Sequence, residues 1–214
     1  MPNPIKPSLK TEFVPILFIL LGLVVSFYFY SLFPDRVATH WNAAGVPDGY
    51  SSRAFAAYFF PLLNIVIYLL MLFIPYLDPR KKNYDKFQGV YHIVKGALVI
   101  FLTITYLIIG LNGLGQNIPV NVVIPLAMGL LFIIIGNYLT RIKPNWFFGI
   151  RTPWTLSSDE VWRKTHNYGA KIFVFGGLLM ILAAIFPNLF GWLMGLFILM
   201  VLSVIIYSYL IYRK

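Results

Sequence analysis

The chain contains no cysteine. A disulfide framework, a thiolate nucleophile and a cysteine metal site are therefore excluded. Acidic side chains are scarce too: 7 Asp and Glu stand against 17 Lys and Arg, and charged residues make up only 11% of 214. None of the acids falls in the middle of an apolar run, which weighs against a proton-coupled pump. The three histidines, His40, His92 and His166, are far apart in sequence. His92 and His166 share one side of the expected topology, but two His without a third ligand make a poor metal centre. His40 with Asp48, or His166 with Asp159 or Glu160, is a single His beside a carboxylate on a loop, an arrangement commoner as structure than as an acid/base pair. No nucleophile elbow, phosphate loop or zinc motif is present. The expectation is a protein that is not an enzyme and needs no cofactor or metal.

What the chain has in abundance is hydrocarbon. Hydrophobic residues make up 59% and aromatics 18%, and the mean hydropathy is +0.78. A soluble domain of this length cannot bury that much apolar surface, so the bilayer is its solvent. Apolar runs cover 13–33, 55–76, 93–111, 120–139, 170–186 and 189–211. Each is close to the ~20 residues needed to cross a hydrocarbon core. The fold class is thus all-α, an integral membrane protein with six transmembrane helices. The first run lacks a small-residue cleavage site and reads as a retained helix. Lys95 and Lys171 are the only charges inside the runs, each near a first turn, and Lys95 is expected to snorkel to the interface.

Basic residues set the orientation. With the N-terminus inside, the inner side receives Lys6, Lys10, Arg80, Lys81, Lys82, Lys86, Arg141, Lys143, Arg151, Arg163, Lys164, Lys171, Arg213 and Lys214, and the outer side only Arg36 and Arg53. This asymmetry puts both termini in the cytoplasm. It also accounts for the net charge of +10: the excess serves topology and contact with anionic membrane lipids, with no direct nucleic-acid partner expected.

The connections divide the chain into a cytoplasmic tail (1–12), a helix pair with an outer loop at 34–54 (13–77), a basic inner loop with helices three and four (78–139), and a C-terminal region (140–214) with an inner loop at 140–169 and helices five and six. The stretch DPRKKNYDKFQGVY (78–91) reads as a solvated stop-transfer segment. In the outer loop, Val46-Pro47-Asp48-Gly49 has the chemistry of a turn, and Ser51 or Ser52 is placed to cap the second span. Trp41 and Tyr50 suit a membrane–water boundary. Two readings stand side by side: a compact outer cap pinned by aromatics, and a ligand-contacting surface in which His40-Trp41-Asn42 offers a stacking face with donors and acceptors.

The inner loop is more elaborate than a return to the membrane requires. Residues 145–155 are too rich in Trp, Phe, Gly and Pro for a regular helix. Ser157 and Glu160 then have capping-box spacing, and Glu160 with Lys164 forms an i, i+4 pair. A short interfacial helix over about 158–168 is expected, loosened by Gly169, with Trp162 toward lipid or bundle and Arg163 and Lys164 toward water. The alternative is that Arg151, Trp154, Trp162 and His166 form one side of a binding site. Within the bilayer, Asn64 follows Pro61 by three residues, placed to satisfy the carbonyl that Pro61 frees, to bond a neighbouring helix or to line a cavity. Pro125 marks a second interrupted helix. The long loops occupy corresponding places in the two halves on opposite faces, each with an Asn beside a Trp (Trp41-Asn42; Asn145-Trp146), as inverted three-helix repeats would produce.

Two segments are familiar. PDRVATHWNAAGVPDGY (34–50) resembles the outer-loop signature of a bacterial membrane family of unassigned function, carried here by His40, Trp41, Asn42, Gly45, Asp48, Gly49 and Tyr50. FGIRTPWTLSSDEVWRKTH (148–166) resembles the signature of the SdpI-like immunity family, carried by Gly149, Arg151, Thr152, Pro153, Trp154, Trp162 and His166. The resemblance implies a plasma-membrane protein that protects its cell from a secreted toxic peptide. It also implies a receptor role, in which the toxin-engaged protein captures a cytoplasmic repressor at the membrane. Asn64 remains an intramembrane polar residue without an implied role. The alternative function is a small-solute or lipid transporter built on inverted three-helix repeats.

Overall fold

The computed structural model describes residues 4–213; Lys214, one of the inner-side basic residues, lies outside them. Helix α1 spans Leu9–Leu32, α2 Arg53–Leu77, α3 Gln88–Gly113, α4 Val120–Leu139, α5 Pro153–Ser157, α6 Asp159–Ile185 and α7 Phe190–Arg213. Strands β1 (Arg36–Trp41) and β2 (Pro47–Ser52) form a hairpin between α1 and α2. All helices except α5 are long and apolar enough to cross a membrane, as the six apolar runs require. Six crossings bring both chain ends to one end of the bundle, the terminal face; the hairpin lies at the other, the hairpin face.

Helices α1, α2, α3 and α6 begin earlier than their apolar runs. Ser8 caps α1 in a reciprocal capping box with Thr11, which draws Lys10 and Glu12 into the first helical turns. Residues 4–8 are not a free tail: Ile5 is fully buried and Lys6 pairs with Asp85 at 2.8 Å. Ser52 caps α2. The largest departure is α6, a single helix where a separate interfacial segment over 158–168 was expected. Gly169 does not loosen it. A Cβ there would meet Ile150 Cδ1 at 2.3 Å, so this glycine admits a close neighbour inside an unbroken helix. At 27 residues, α6 is ~40 Å long against a ~30 Å hydrocarbon core, so its first turns rise clear of the bilayer.

Helices α1, α2 and α3 each pack on the other two, whereas α6 lies between α4 and α7, and α3 with α4 joins the two trios. Helices α4 and α6 approach at Gly129 and Gly177, where a Cβ on either would lie under 3 Å from the other's carbonyl oxygen. Small residues at such a crossing allow backbone contact that apolar side chains cannot supply in lipid.

The first trio is held by polar groups. Lys95 is fully buried, so it does not snorkel: its Nζ donates to both Glu12 carboxylate oxygens at 2.7 and 2.6 Å. The Tyr68 hydroxyl donates to the same carboxylate at 2.7 Å. One ion pair thus fastens α1, α2 and α3. Burial explains why the Lys stays: with a carboxylate at hand, pairing is favoured over an extended path to the interface.

Prolines in α2 set the rest of the seam. Pro61 and Pro75 remove the helical partners of the Ala57 and Met71 carbonyls. The Tyr106 hydroxyl of α3 donates to Ala57 O at 2.8 Å, and that of Tyr91 to Met71 O at 2.7 Å. Asn64 does not serve the Ala57 carbonyl that Pro61 frees but bonds the neighbouring helix. Its Nδ2 donates across to α3, to Val99 O at 3.2 Å and Thr103 Oγ1 at 3.0 Å. Removing one member of the ion pair is predicted to cost more than removing both. Lys95→Met strands a buried carboxylate at ~3–5 kcal/mol. The pair Glu12→Gln with Lys95→Met should recover most of the loss, read as thermal stability of the purified protein in detergent.

Candidate functional site

The outer loop folds into a hairpin whose turn is not where the Pro-Asp-Gly chemistry suggested. Pro47, Asp48 and Gly49 lie in β2, and the chain reverses at 42–46. Asn42 drives this: its Oδ1 accepts from the backbone N–H of Ala44 at 3.0 Å and of Val46 at 3.1 Å, an Asx turn that a downstream Pro-Asp-Gly cannot outcompete. Gly45 follows at φ +78°, and a Cβ there would meet Asn121 of α4 at 2.8 Å. Asn121 donates to Ala44 O at 3.3 Å, so the hairpin tip is seated on the start of α4. Asp35 and Arg53 close the base at 2.8 Å.

On this frame His40 is largely exposed and its Nδ1 contacts Asp48 Oδ1. It sits opposite Gly49, where a Cβ would meet the His40 Cβ at 2.8 Å. Trp41 is half-buried and Tyr50 exposed. His40, Asp48 and Tyr50 thus present ring, carboxylate and phenol to solvent or headgroups, while Asn42, Gly45 and Gly49 shape the backbone.

The second signature, at the terminal face, is mostly built into the fold. Gly149 has φ +106°, and a Cβ there would lie 2.6 Å from His166 Nε2. Its absence lets the Ile150 N–H donate to that nitrogen at 3.1 Å. His166 Nδ1 then carries the proton and donates to Trp162 O at 2.8 Å. Both ring nitrogens are occupied, and the ring stacks on Trp162 with centroids 4.1 Å apart. Trp162 is buried and its Nε1 donates to Ile142 O at 2.9 Å. Thr152 caps α5 with Pro153 at its start, and Thr152 Oγ1 is 3.1 Å from Ser208 Oγ of α7. Trp154 packs on Tyr209. Arg151 points outward, donating to Trp146 O at 2.9 Å. The proposed grouping of Arg151, Trp154, Trp162 and His166 as one wall therefore does not form. Nor do His92 and His166 share partners: His92 Nε2 donates to Ile5 O at 2.6 Å. Among the described residues no group of three metal-ligating side chains converges.

The connection at 78–91 is ordered structure, not a solvated stop-transfer segment. Asp78 and Tyr84 are buried. Asp78 Oδ2 accepts from the Trp146 N–H at 2.9 Å and the Tyr84 hydroxyl at 3.1 Å. Burial, with the Asp78 carboxylate beside it, pushes the Tyr84 phenol far above its ordinary pKa, so it remains a donor. Asn145, fully buried, accepts at Oδ1 from the Phe147 and Phe148 N–H groups at 3.0 and 2.6 Å, and donates to the Lys143 and Phe148 carbonyls. Arg80 reaches Asp159 at 3.0 Å. These residues shape the terminal face, and sequence reasoning overlooked them. The available signal is the Asp that opens the basic stretch, and the Asn145-Trp146 pair, which the repeat reading does not use for packing. What they leave outermost is an aromatic and basic surface of Trp146, Phe147, Arg151, Arg163 and Lys164.

Both signatures have counterparts in known proteins. Residues 141–212 match the SdpI/YfhL protein family, and residues 17–65 match a domain of unknown function, DUF1648. The immunity protein SdpI of Bacillus subtilis (strain 168) is 24% identical over 180 residues, covering 84% of each chain. The chain is SdpI-like. No solved structure matches it. As an SdpI-like chain with six apolar helices it is a multi-pass plasma-membrane protein. Its SdpI/YfhL match begins just after α4 and takes in the whole terminal-face motif, α6 and most of α7.

Asn145→Ala is predicted to strand the Phe147 and Phe148 amides. Each unsatisfied buried donor costs ~1–3 kcal/mol. The expected outcome is faster amide exchange across 143–150 and a lower melting temperature, with exchange in the 36–52 hairpin unchanged.

Proposed function

We propose that this protein is a membrane immunity protein that protects its cell against a secreted toxic peptide. The observation carrying this is the similarity to SdpI of Bacillus subtilis along 84% of each chain, which extends through both signatures. In this reading the terminal face, with most of the basic side chains, is cytoplasmic, as the positive-inside asymmetry demands. The hairpin is extracellular, and His40, Trp41, Asp48 and Tyr50 meet the peptide where it enters the outer leaflet. Asn42, Gly45 and Gly49 act by holding that surface in shape.

The terminal face is proposed as the readout. Peptide binding that favours one seating of the hairpin tip on α4 shifts the arrangement of the α4–α6 pair, and with it the surface around Trp146 and Arg151. A cytoplasmic repressor is the proposed partner of that surface. Trp162 and His166, buried and doubly bonded, belong to its support.

Support for this assignment is chemical as well as by similarity: the hairpin is exposed, rigidly turned and aromatic, and amphipathic rings are well suited to an apolar peptide at a membrane boundary. The test uses a toxin-sensitive host, with each variant matched for membrane level. His40→Ala alters an exposed side chain, so the protein is expected to fold, and protection should fall at least ~10-fold, as for loss of one anchoring contact. Arg151→Ala should keep protection and lose toxin-dependent induction of a reporter under the repressor. Full protection by His40→Ala removes the hairpin from the mechanism, and unchanged induction by Arg151→Ala removes the terminal face.

A further inference from the structure

An apolar groove of about 750 Å³ runs between α1, α3 and α4, at the junction of the two trios, and none of the residues so far assigned a function lines it. Two glycines of α3 keep it open. A Cβ at Gly89 would meet nothing within 4 Å, and one at Gly96 would meet only Pro15 Cγ at 3.9 Å. Opposite, Ala127 of α4 is small as well.

Its length points to an occupant. On α3 the lining runs from Gly89 to Ile104, a rise of ~22 Å at ~1.5 Å per residue. That equals one leaflet: ~15 Å of hydrocarbon and ~5–7 Å of headgroup region. An extended hydrocarbon chain can lie along this length with its polar end at the terminal face.

The groove also has a charged end. Lys10 and His92 line it at the terminal face. Lys10 is exposed and has no ion-pair partner among the described residues. The nearby Glu12 is already neutralised by Lys95. His92 is buried, and its Nδ1 makes no hydrogen bond, with Glu12 Oε1 3.2 Å away. The mouth therefore carries the uncompensated positive charge of Lys10.

We infer that the α1–α3–α4 groove is a binding site for one acyl chain of an anionic phospholipid, its phosphate held at Lys10. The site is independent of the immunity assignment: it requires only the fold and a bilayer. One lysine near an anionic headgroup supports ~5-fold discrimination.

The test is native mass spectrometry of the full-length protein, released from detergent after incubation with equimolar phosphatidylglycerol and phosphatidylethanolamine of identical chains. The expected result is one retained lipid, with phosphatidylglycerol favoured ~5-fold. Lys10→Glu should abolish the preference. Gly96→Leu, which fills the groove, should abolish retention, while Gly96→Ala, whose added Cβ meets only an ordinary contact, should keep it. Equal retention of both headgroups by the wild type, or full retention by Gly96→Leu at an unchanged melting temperature, overturns the proposal and leaves annular lipid only. Retention of an apolar peptide in place of lipid overturns it as well.

Discussion

In hydrocarbon no polar group can turn to water, and the first trio of helices is organised around that constraint. Helix α2 carries two internal prolines, each stranding a carbonyl, and α3 answers each with a tyrosine: Tyr106 for Ala57 and Tyr91 for Met71. The prolines are 14 residues apart and the tyrosines 15, in antiparallel helices, so one register satisfies both. Asn64 and the Glu12–Lys95–Tyr68 cluster lie along the same seam. Slippage of α2 along α3 would unmake the Tyr91, Tyr106, Asn64 and Tyr68 contacts together, leaving only the Glu12–Lys95 pair between α1 and α3. A bilayer gives little hydrophobic reward for packing one apolar helix on another, so such polar ties fix register where apolar area cannot.

The second trio relies on close backbone approach at Gly129 and Gly177 instead. The trios meet through α3 and α4 inside the bundle and are tied again at each end. At the hairpin face the tie is Gly45 over Asn121, with the Asn121 amide on Ala44 O. At the terminal face Asp78 binds the Trp146 amide, Asn83 donates to Pro144 O and Arg80 pairs with Asp159. A change in hairpin seating thus bears directly on α4, and α4 leads into the terminal-face motif. This is the physical path on which the proposed signalling depends.

The six helices, the approximate spans and the two signature segments were legible in the sequence, because apolar runs of bilayer length have few alternatives. The Ser52 cap was legible as well. Errors arose where a local signal competed with a tertiary partner. Pro47-Asp48-Gly49 has turn chemistry, but the Asn42 side chain closes a turn one step earlier. Gly169 reads as a residue that loosens the helix, yet it is a packing glycine against Ile150. Lys95 looked like a snorkelling residue because its partner, Glu12, fell just outside the first apolar run. The hairpin residues were foreseen as one cluster, and the structure keeps them together. The terminal-face residues read as an interfacial helix or, alternatively, as one side of a binding site, and hydrogen bonding internalises Trp162 and His166. No local pattern announces that Gly149 exists to admit a backbone amide to His166 from sixteen residues away.

The central claim is that the two structured polar segments face opposite sides of the membrane, hairpin outside and terminal face inside. The absence of natural cysteine makes a direct measurement available. Single cysteines at Ala43→Cys, in the exposed hairpin turn, and Arg163→Cys, on the exposed face of α6, can be treated in intact cells with a membrane-impermeant maleimide. The account predicts labelling of Ala43→Cys in intact cells and of Arg163→Cys only after the membrane is opened. Labelling of Arg163→Cys in intact cells, with Ala43→Cys protected, would contradict it.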